Sequence, residues 1–271
     1  MDNVLHAADN PELANKIAEQ AFSEPEDTTP TTATIRTPSD TVVTLPGGYI
    51  SATGEVHRTA EVKELTGRDE EAIIRNSQYF KVFSTLLQRG TVSLGPDQPS
   101  EYDIDNLLIG DRNALMLGIY KATYGSNANL GGYCNGCKDM KTVEIDIDTD
   151  IKTNILVDPV RDRSFTIKGR RNEFLVTLPT GKTEKQITLA TEVTAAEALS
   201  ALLETTILEI DGRPVLTRKQ VQDLGVADRH TIAEAIASRE VGPIFDDIKV
   251  ECPDCGGEVR VAVDLASLFR F

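Results

Sequence analysis

The chain has 271 residues, 40% of them hydrophobic, enough to bury a core as one large domain or two smaller ones, and no apolar run approaches the roughly 20 residues of a membrane span. Asp and Glu number 43 against 28 Lys and Arg, and the formal charge of −15 opposes nonspecific attraction to nucleic acid or an anionic bilayer. Aromatic residues make up 5%, with no Trp, which argues against a base-stacking platform.

The first predicted element is a short helix. Asp9-Asn10-Pro11-Glu12 combines a capping side chain, a first-turn proline and an acid facing the positive end of the helix, and Leu13, Ile17 and Ala21 then share a face. Residues 23–38, rich in Thr, Pro and acids, cannot bury enough surface to offset their ordering entropy and read as an extended linker. Residues 1–38 are therefore expected to be an arm, either an inert tail or a peptide that docks on a neighbour through Leu13 and Ile17. No basic stretch followed by an apolar run is present there, so no secretory leader is expected.

A second region, 39–125, combines strand, turn and helices. Val42 to Ile50 reads as a strand, a turn at Pro46-Gly47-Gly48 and a second edge, and Val56, Ala60 and Val62 suggest a further strand. Thr66 and Asp69 form a capping box that opens one long helix, with Ile73, Phe80, Val82, Phe83, Leu86 and Leu87 at helical spacing and Gly90 as its C-cap. Beyond Pro96 and Pro99, a helical pair runs from Ile104 to Tyr124 and ends at Gly125.

The third region, 126–271, holds the four cysteines, in two matched pairs: Cys134-Asn135-Gly136-Cys137 and Cys252-Pro253-Asp254-Cys255. A Cys-x-x-Cys turn can place both sulfurs on one ion, and two such turns complete a tetrahedral structural zinc site. Gly136, Gly256 and Gly257 are expected to take positive φ and fold backbone N–H groups toward the sulfurs. Each pair leads into a period-two strand, Val143, Ile145 and Ile147 after the first and Val259, Val261 and Val263 after the second. Redox pairs sit at helix N-termini, whereas strands follow here, and disulfides fit an exported chain. The expected fold is α+β: a zinc ribbon of two knuckles with β-hairpins, and helical segments before and between them. Cys134, Cys137, Cys252 and Cys255 would hold one zinc per chain.

Between the knuckles, Phe174 to Leu178 and Gln186 to Leu189 bracket Pro179-Thr180-Gly181-Lys182, which predicts a hairpin. Thr194 and Glu197 form a capping box ahead of a helix carrying Leu199 to Leu208, and Asp211-Gly212-Arg213-Pro214 is a turn. Thr217 opens a short helix, Asp228 caps another with Ile232 and Ile236, and Ile244 to Val250 returns as a strand. Leu265 to Phe271 reads as a short strand ending in Phe269 and Phe271, two rings whose exposure would forfeit roughly 2 kcal/mol each. They are expected either in the chain's own core or, as the reading adopted here, at a subunit contact.

Two apparent motifs fail on inspection. Gly181-Lys182-Thr183 resembles the end of a phosphate loop, but Val176 stands where its first glycine belongs. Asp146, Asp148 and Asp150 are spaced as in a calcium loop, but Ile151 and Val157 replace its glycine and final glutamate. His6, His57 and His230 lie near no catalytic partner in sequence, and Glu55, His57 and Glu61 fit a charged strand face.

Over most of residues 40–271 the order of motifs resembles the baseplate hub and baseplate assembly proteins of contractile-tailed bacteriophages. The residues that carry it are Leu45 to Tyr49, Val62 to Glu71, Asp105 to Arg112, Tyr124-Gly125, the first Cys-x-x-Cys, Phe174 to Pro179, Ile210-Asp211-Gly212 and the second Cys-x-x-Cys near an aromatic C-terminus. The resemblance implies a non-enzymatic structural or assembly subunit of the virion tail baseplate, assembled in the host cytoplasm. Its partners would be other baseplate or tail subunits, with a homo-oligomer possible inside the larger assembly and no nucleic acid or membrane partner. The alternatives are a zinc ribbon associated with nucleic acid or transcription, and a metal-dependent enzyme.

Overall fold

A computed structural model describes residues 41–76, 79–188, 194–245, 248–263 and 265–269, together with Glu12 and Asn15, which are helical. The chain divides into two units, Met1–Arg36 and Thr37–Phe271. Leu13, Ile17 and Phe271, expected at partner contacts, lie outside the described residues.

The second unit is mixed α and β. Strands β1 (Val42–Ile50), β2 (Val56–Val62) and β3 (Thr91–Leu94) form an antiparallel sheet in that order. Pro46-Gly47-Gly48 does not reverse the chain as expected. It is a bulge inside β1, whose register against β2 shifts between Thr44 and Tyr49. Pro46 has no N–H for the ladder and Gly48 takes a φ of 77°, so this stretch bends out of the pairing.

The expected long helix is two, α1 (Gly67–Ile74) and α2 (Tyr79–Gly90). Asn76 explains the break: its Nδ2 donates to the Ala72 carbonyl at 3.1 Å and to Thr85 Oγ1 at 3.0 Å, ending α1 and tying it to α2. The Thr66–Asp69 capping box is present, with Asp69 Oδ2 accepting the Thr66 N–H at 3.1 Å. Gly90 is not a left-handed cap. A Cβ there would lie 2.4 Å from Ile119 Cδ1, so glycine serves the close approach to the helix that follows. Helices α3 (Glu101–Asn106) and α4 (Ile109–Tyr124) come next, and Gly125, with φ 93°, ends α4. Most of α4 is buried, because β1, β2 and α2 pack against it together with parts of the segments that follow it in the chain.

Strands β4 (Asn127–Cys134) and β5 (Asp139–Asp146) form a hairpin, followed by α5 (Ile147–Asp150) and β6 (Thr153–Asn154). The inserted segment then builds β7 (Ser164–Lys168), β8 (Glu173–Thr177), α6 (Gly181–Thr188), α7 (Ala195–Thr206), β9 (Ile207–Ile210), β10 (Arg213–Pro214), α8 (Arg218–Gln222) and α9 (Val226–Ala237). Ile207 and Leu208, expected in α7, begin β9 instead. The hairpin expected around Pro179-Thr180-Gly181-Lys182 is also overturned. β8 pairs with β7, and Gly181 opens a helix. Thr183 Oγ1 accepts the Thr180 N–H at 3.1 Å, so the presumed turn residues are a helix start.

The chain returns through β11 (Gly242–Pro243), β12 (Ile248–Glu251) and β13 (Glu258–Val261), and ends in α10 (Leu265–Leu268), a helical turn where a strand was expected. One core runs from Leu45 to Phe269 and includes the strands of both knuckles, so the expected boundary at 125/126 separates no two cores. A second core, containing Ile167, Phe174, Val176, Leu203 and Ile232, belongs wholly to the inserted segment.

Asp111, in the first turn of α4, is fully buried. Its Oδ1 accepts the N–H groups of Gly47 (2.6 Å) and Gly48 (3.2 Å) of the β1 bulge, while Oδ2 has no hydrogen-bond partner among the described residues. Arg163 donates to the carbonyls of Gly47 and Gly48, and Arg58 donates to those of Pro46, Leu156 and Val157. The Leu-Pro-Gly-Gly-Tyr stretch and the Ile109-Gly110-Asp111-Arg112 stretch are therefore one contact. Burial pushes the Asp111 carboxyl up, against the Gly47 N–H and the Arg163 charge. A raised folded value gives stability present below the ordinary carboxylate value and lost as pH rises through the folded one. Asp111→Asn should accordingly gain stability relative to the native chain as pH rises above the ordinary carboxylate value of about 4. Asp111→Ala, which orphans two buried N–H groups, should lose on the order of 2 kcal/mol in denaturant unfolding.

Candidate metal centre

The four cysteines meet because their hairpins lie side by side. β4 and β5 flank the first pair and β12 and β13 the second, in one antiparallel sheet ordered β12-β13-β4-β5. β13 pairs with β4 so that Val259 stands opposite Cys134, and Glu258 opposes Glu251 at the second knuckle. Both Cys-x-x-Cys turns thus emerge at the same end of the sheet. Alternation sets the faces: Ala128, Leu130 and Cys134 of β4, Val143 and Ile145 of β5, and Val259 and Val261 of β13 are buried.

One sulfur atom from each cysteine lies within 4.8 Å of every other. Cys134 Sγ is 3.6 Å from Cys255 Sγ, and Cys137 Sγ is 3.8 Å from Cys252 Sγ. A disulfide would require about 2.05 Å, whereas a tetrahedron with metal–sulfur bonds of about 2.3 Å has edges of about 3.8 Å. All four cysteines are free, and their spacing fits one metal ion. Cys134 and Cys252 are buried, Cys137 is half-buried and Cys255 is exposed, so the site lies at the surface end of the core.

The turns are shaped for the sulfurs. Cys137 N–H donates to Cys134 Sγ at 3.4 Å. In the second knuckle, Cys252 N–H donates to the Gly257 carbonyl at 2.7 Å, Gly256 N–H to the Cys252 carbonyl at 2.9 Å, and Gly256 takes a φ of 68°. The first knuckle differs from expectation. Lys138, not Gly136, adopts the left-handed conformation, with φ 54°. Gly136 is required for space: a Cβ there would lie 3.0 Å from Cys255 Sγ.

The thiols shift one another in opposite directions. Cys134 is drawn down to about 7, first by the Cys137 N–H, while Cys137 is pushed up to about 12, first by its hydrogen bond to Cys255. A charged residue not foreseen from sequence completes the surroundings. Lys141 Nζ lies 2.9 Å from Asp254 Oδ2 and 3.3 Å from Asp139 Oδ2, and these carboxylates, Asp254 first, raise its value. The available sign was the one cation within the residues of β5, close after the first knuckle.

Other singled-out residues have local roles. Phe269, expected at a subunit contact, is 2% exposed and packs edge-on against Tyr120, with centroids 5.7 Å apart. Helix α10 folds this segment back onto α4, so the ring belongs to the chain's own core. Gly181-Lys182-Thr183 does follow a strand and forms the first turn of α6, yet each residue is engaged in packing. A Cβ on Gly181 would lie 2.7 Å from Arg112 Nη1, Lys182 sits 4.4 Å above the Tyr102 ring, and Thr183 caps its own turn. Val176, in place of the missing glycine, is fully buried. Asp146 caps α5, and His57 faces Glu55 at 3.9 Å beside Tyr49.

No family model, curated protein or solved structure matches the chain. Among the described residues, no helix is long and apolar enough to cross a membrane. If the sulfurs are unbridged as described, thiol titration of the unfolded chain, without reductant and with a chelator present, should count four reactive groups; two or none would indicate disulfides in their place.

Proposed function

We propose that the chain is a structural or assembly subunit of a contractile-tail phage baseplate, with one zinc ion on Cys134, Cys137, Cys252 and Cys255 as an internal staple. The observation that carries the staple is the sulfur set itself. Four thiolates fill a tetrahedral zinc and leave no position for water or substrate, so the ion acts on folding rather than on chemistry. The two knuckles on adjacent hairpins make the zinc-ribbon reading of this end of the sheet.

The baseplate reading is supported by the motif order from Leu45 to the second Cys-x-x-Cys. Several of those motifs also pack on one another: Asp111 on Gly47 and Gly48, and the Ile109 N–H on the Pro179 carbonyl at 3.2 Å. Stretches distant in sequence thus act as one structural set. The acidic balance also suits a protein partner better than nucleic acid, and the cations Lys249 and Arg260 on the knuckle sheet are each engaged by Glu258.

Elemental analysis of protein purified without chelator should give about one zinc per chain, and Cys252→Ser should lower the thermal midpoint strongly by leaving the site incomplete. Iron at full occupancy, or no metal, would contradict the staple. For the baseplate role, the protein should be found in purified particles of the source system or should capture tail subunits in a pull-down; absence from both would overturn it.

A further inference from the structure

We propose that Lys141 is a positioning residue for the metal, its ammonium clamping the two knuckles into one ligand set. The inference rests on the zinc reading of the four cysteines. Lys141 lies on β5, and its partners come from both halves of the site. Asp139 begins β5 opposite Cys134, and Asp254 lies inside the second knuckle between Cys252 and Cys255. A single cation at 3.3 Å and 2.9 Å from these two carboxylates joins the strand of one knuckle to the loop of the other.

The local charge makes this clamp consequential. Four thiolates around a divalent ion leave a net negative charge, and Asp139, Asp254, Glu251 and Glu258 add to it. Lys249 and Arg260 are engaged by Glu258. The Lys141 side chain is only 21% exposed, so its field is screened less than that of a free surface lysine. Exposed carboxylate pairs contribute little to folding by themselves, so the effect should appear in metal retention rather than in the fold.

The test follows zinc transfer from the full-length loaded protein to a colorimetric chelator. Lys141→Met should release zinc on the order of tenfold faster than the native chain, and Lys141→Arg should restore slow release. The difference should shrink at high salt, where the charges are screened. Asp254→Asn, which opens the same bridge from the other knuckle but also removes a negative charge beside the sulfurs, should release zinc faster than the native chain though less so than Lys141→Met, and serves if that variant fails to fold. Native release rates in either bridge variant at low salt would overturn the clamp. A native protein that carries no zinc would instead overturn the zinc reading on which the clamp depends, so the two failures are distinguishable.

Discussion

The pairing of β13 with β4 is the constraint on which the candidate metal centre depends. It sets Val259 opposite Cys134 and lays two hairpins edge to edge, so that knuckles from distant parts of the chain share one end of a sheet. A slip by one residue would turn Val259 and Val261 out of the core and move the second knuckle away from the first. Gly132 makes the close approach possible, since a Cβ there would lie 2.6 Å from Val259 Cγ1. The hydrophobic effect thus assembles the ligand set before any ion is considered.

The same geometry explains how a large inserted segment is accommodated. Residues 138–251 leave from one knuckle and return to the other, so an ion on the four sulfurs would close a long loop and stabilise it by restricting the unfolded chain. That segment carries its own small core and meets the rest at backbone level. A Cβ on Gly110 would lie 1.8 Å from the Val241 carbonyl oxygen, leaving no room for a side chain where α4 crosses the returning chain. Close by in sequence, Asp111 holds the β1 bulge and Arg112, 1% exposed, donates to Glu184 of α6 at 3.2 Å. Three consecutive residues at the start of α4 therefore join β1, the inserted segment and the returning strand.

The cysteine set was legible in the sequence because ligand chemistry fixes residue type and spacing locally, and the flanking strands were legible because Val143, Ile145, Val259 and Val261 alternate. The capping boxes at Thr66 and Thr194 were legible for the same reason: cap and acceptor are three residues apart. What escaped depends on contacts between distant residues. Gly90 and Gly181 carry the marks of a cap and a turn, but their neighbours Ile119 and Arg112 decide their roles. Asp111 looks like an ordinary first-turn acid until β1 is laid across it. The break at Asn76 was obscured because apolar residues keep helical spacing on both sides of it, and Phe269 could not be assigned before α10 was seen to fold back onto α4.

X-ray absorption at the zinc edge of the purified protein tests the central claim most directly, because it counts and identifies the atoms bound to the ion. Four sulfurs in a single shell at about 2.3 Å, with no nitrogen or oxygen neighbour, are the result predicted by Cys134, Cys137, Cys252 and Cys255 closing one tetrahedron. A mixed shell containing oxygen or nitrogen at about 2.0 Å would contradict it, since the ion would then have an open or substituted position and could not be the closed staple described here.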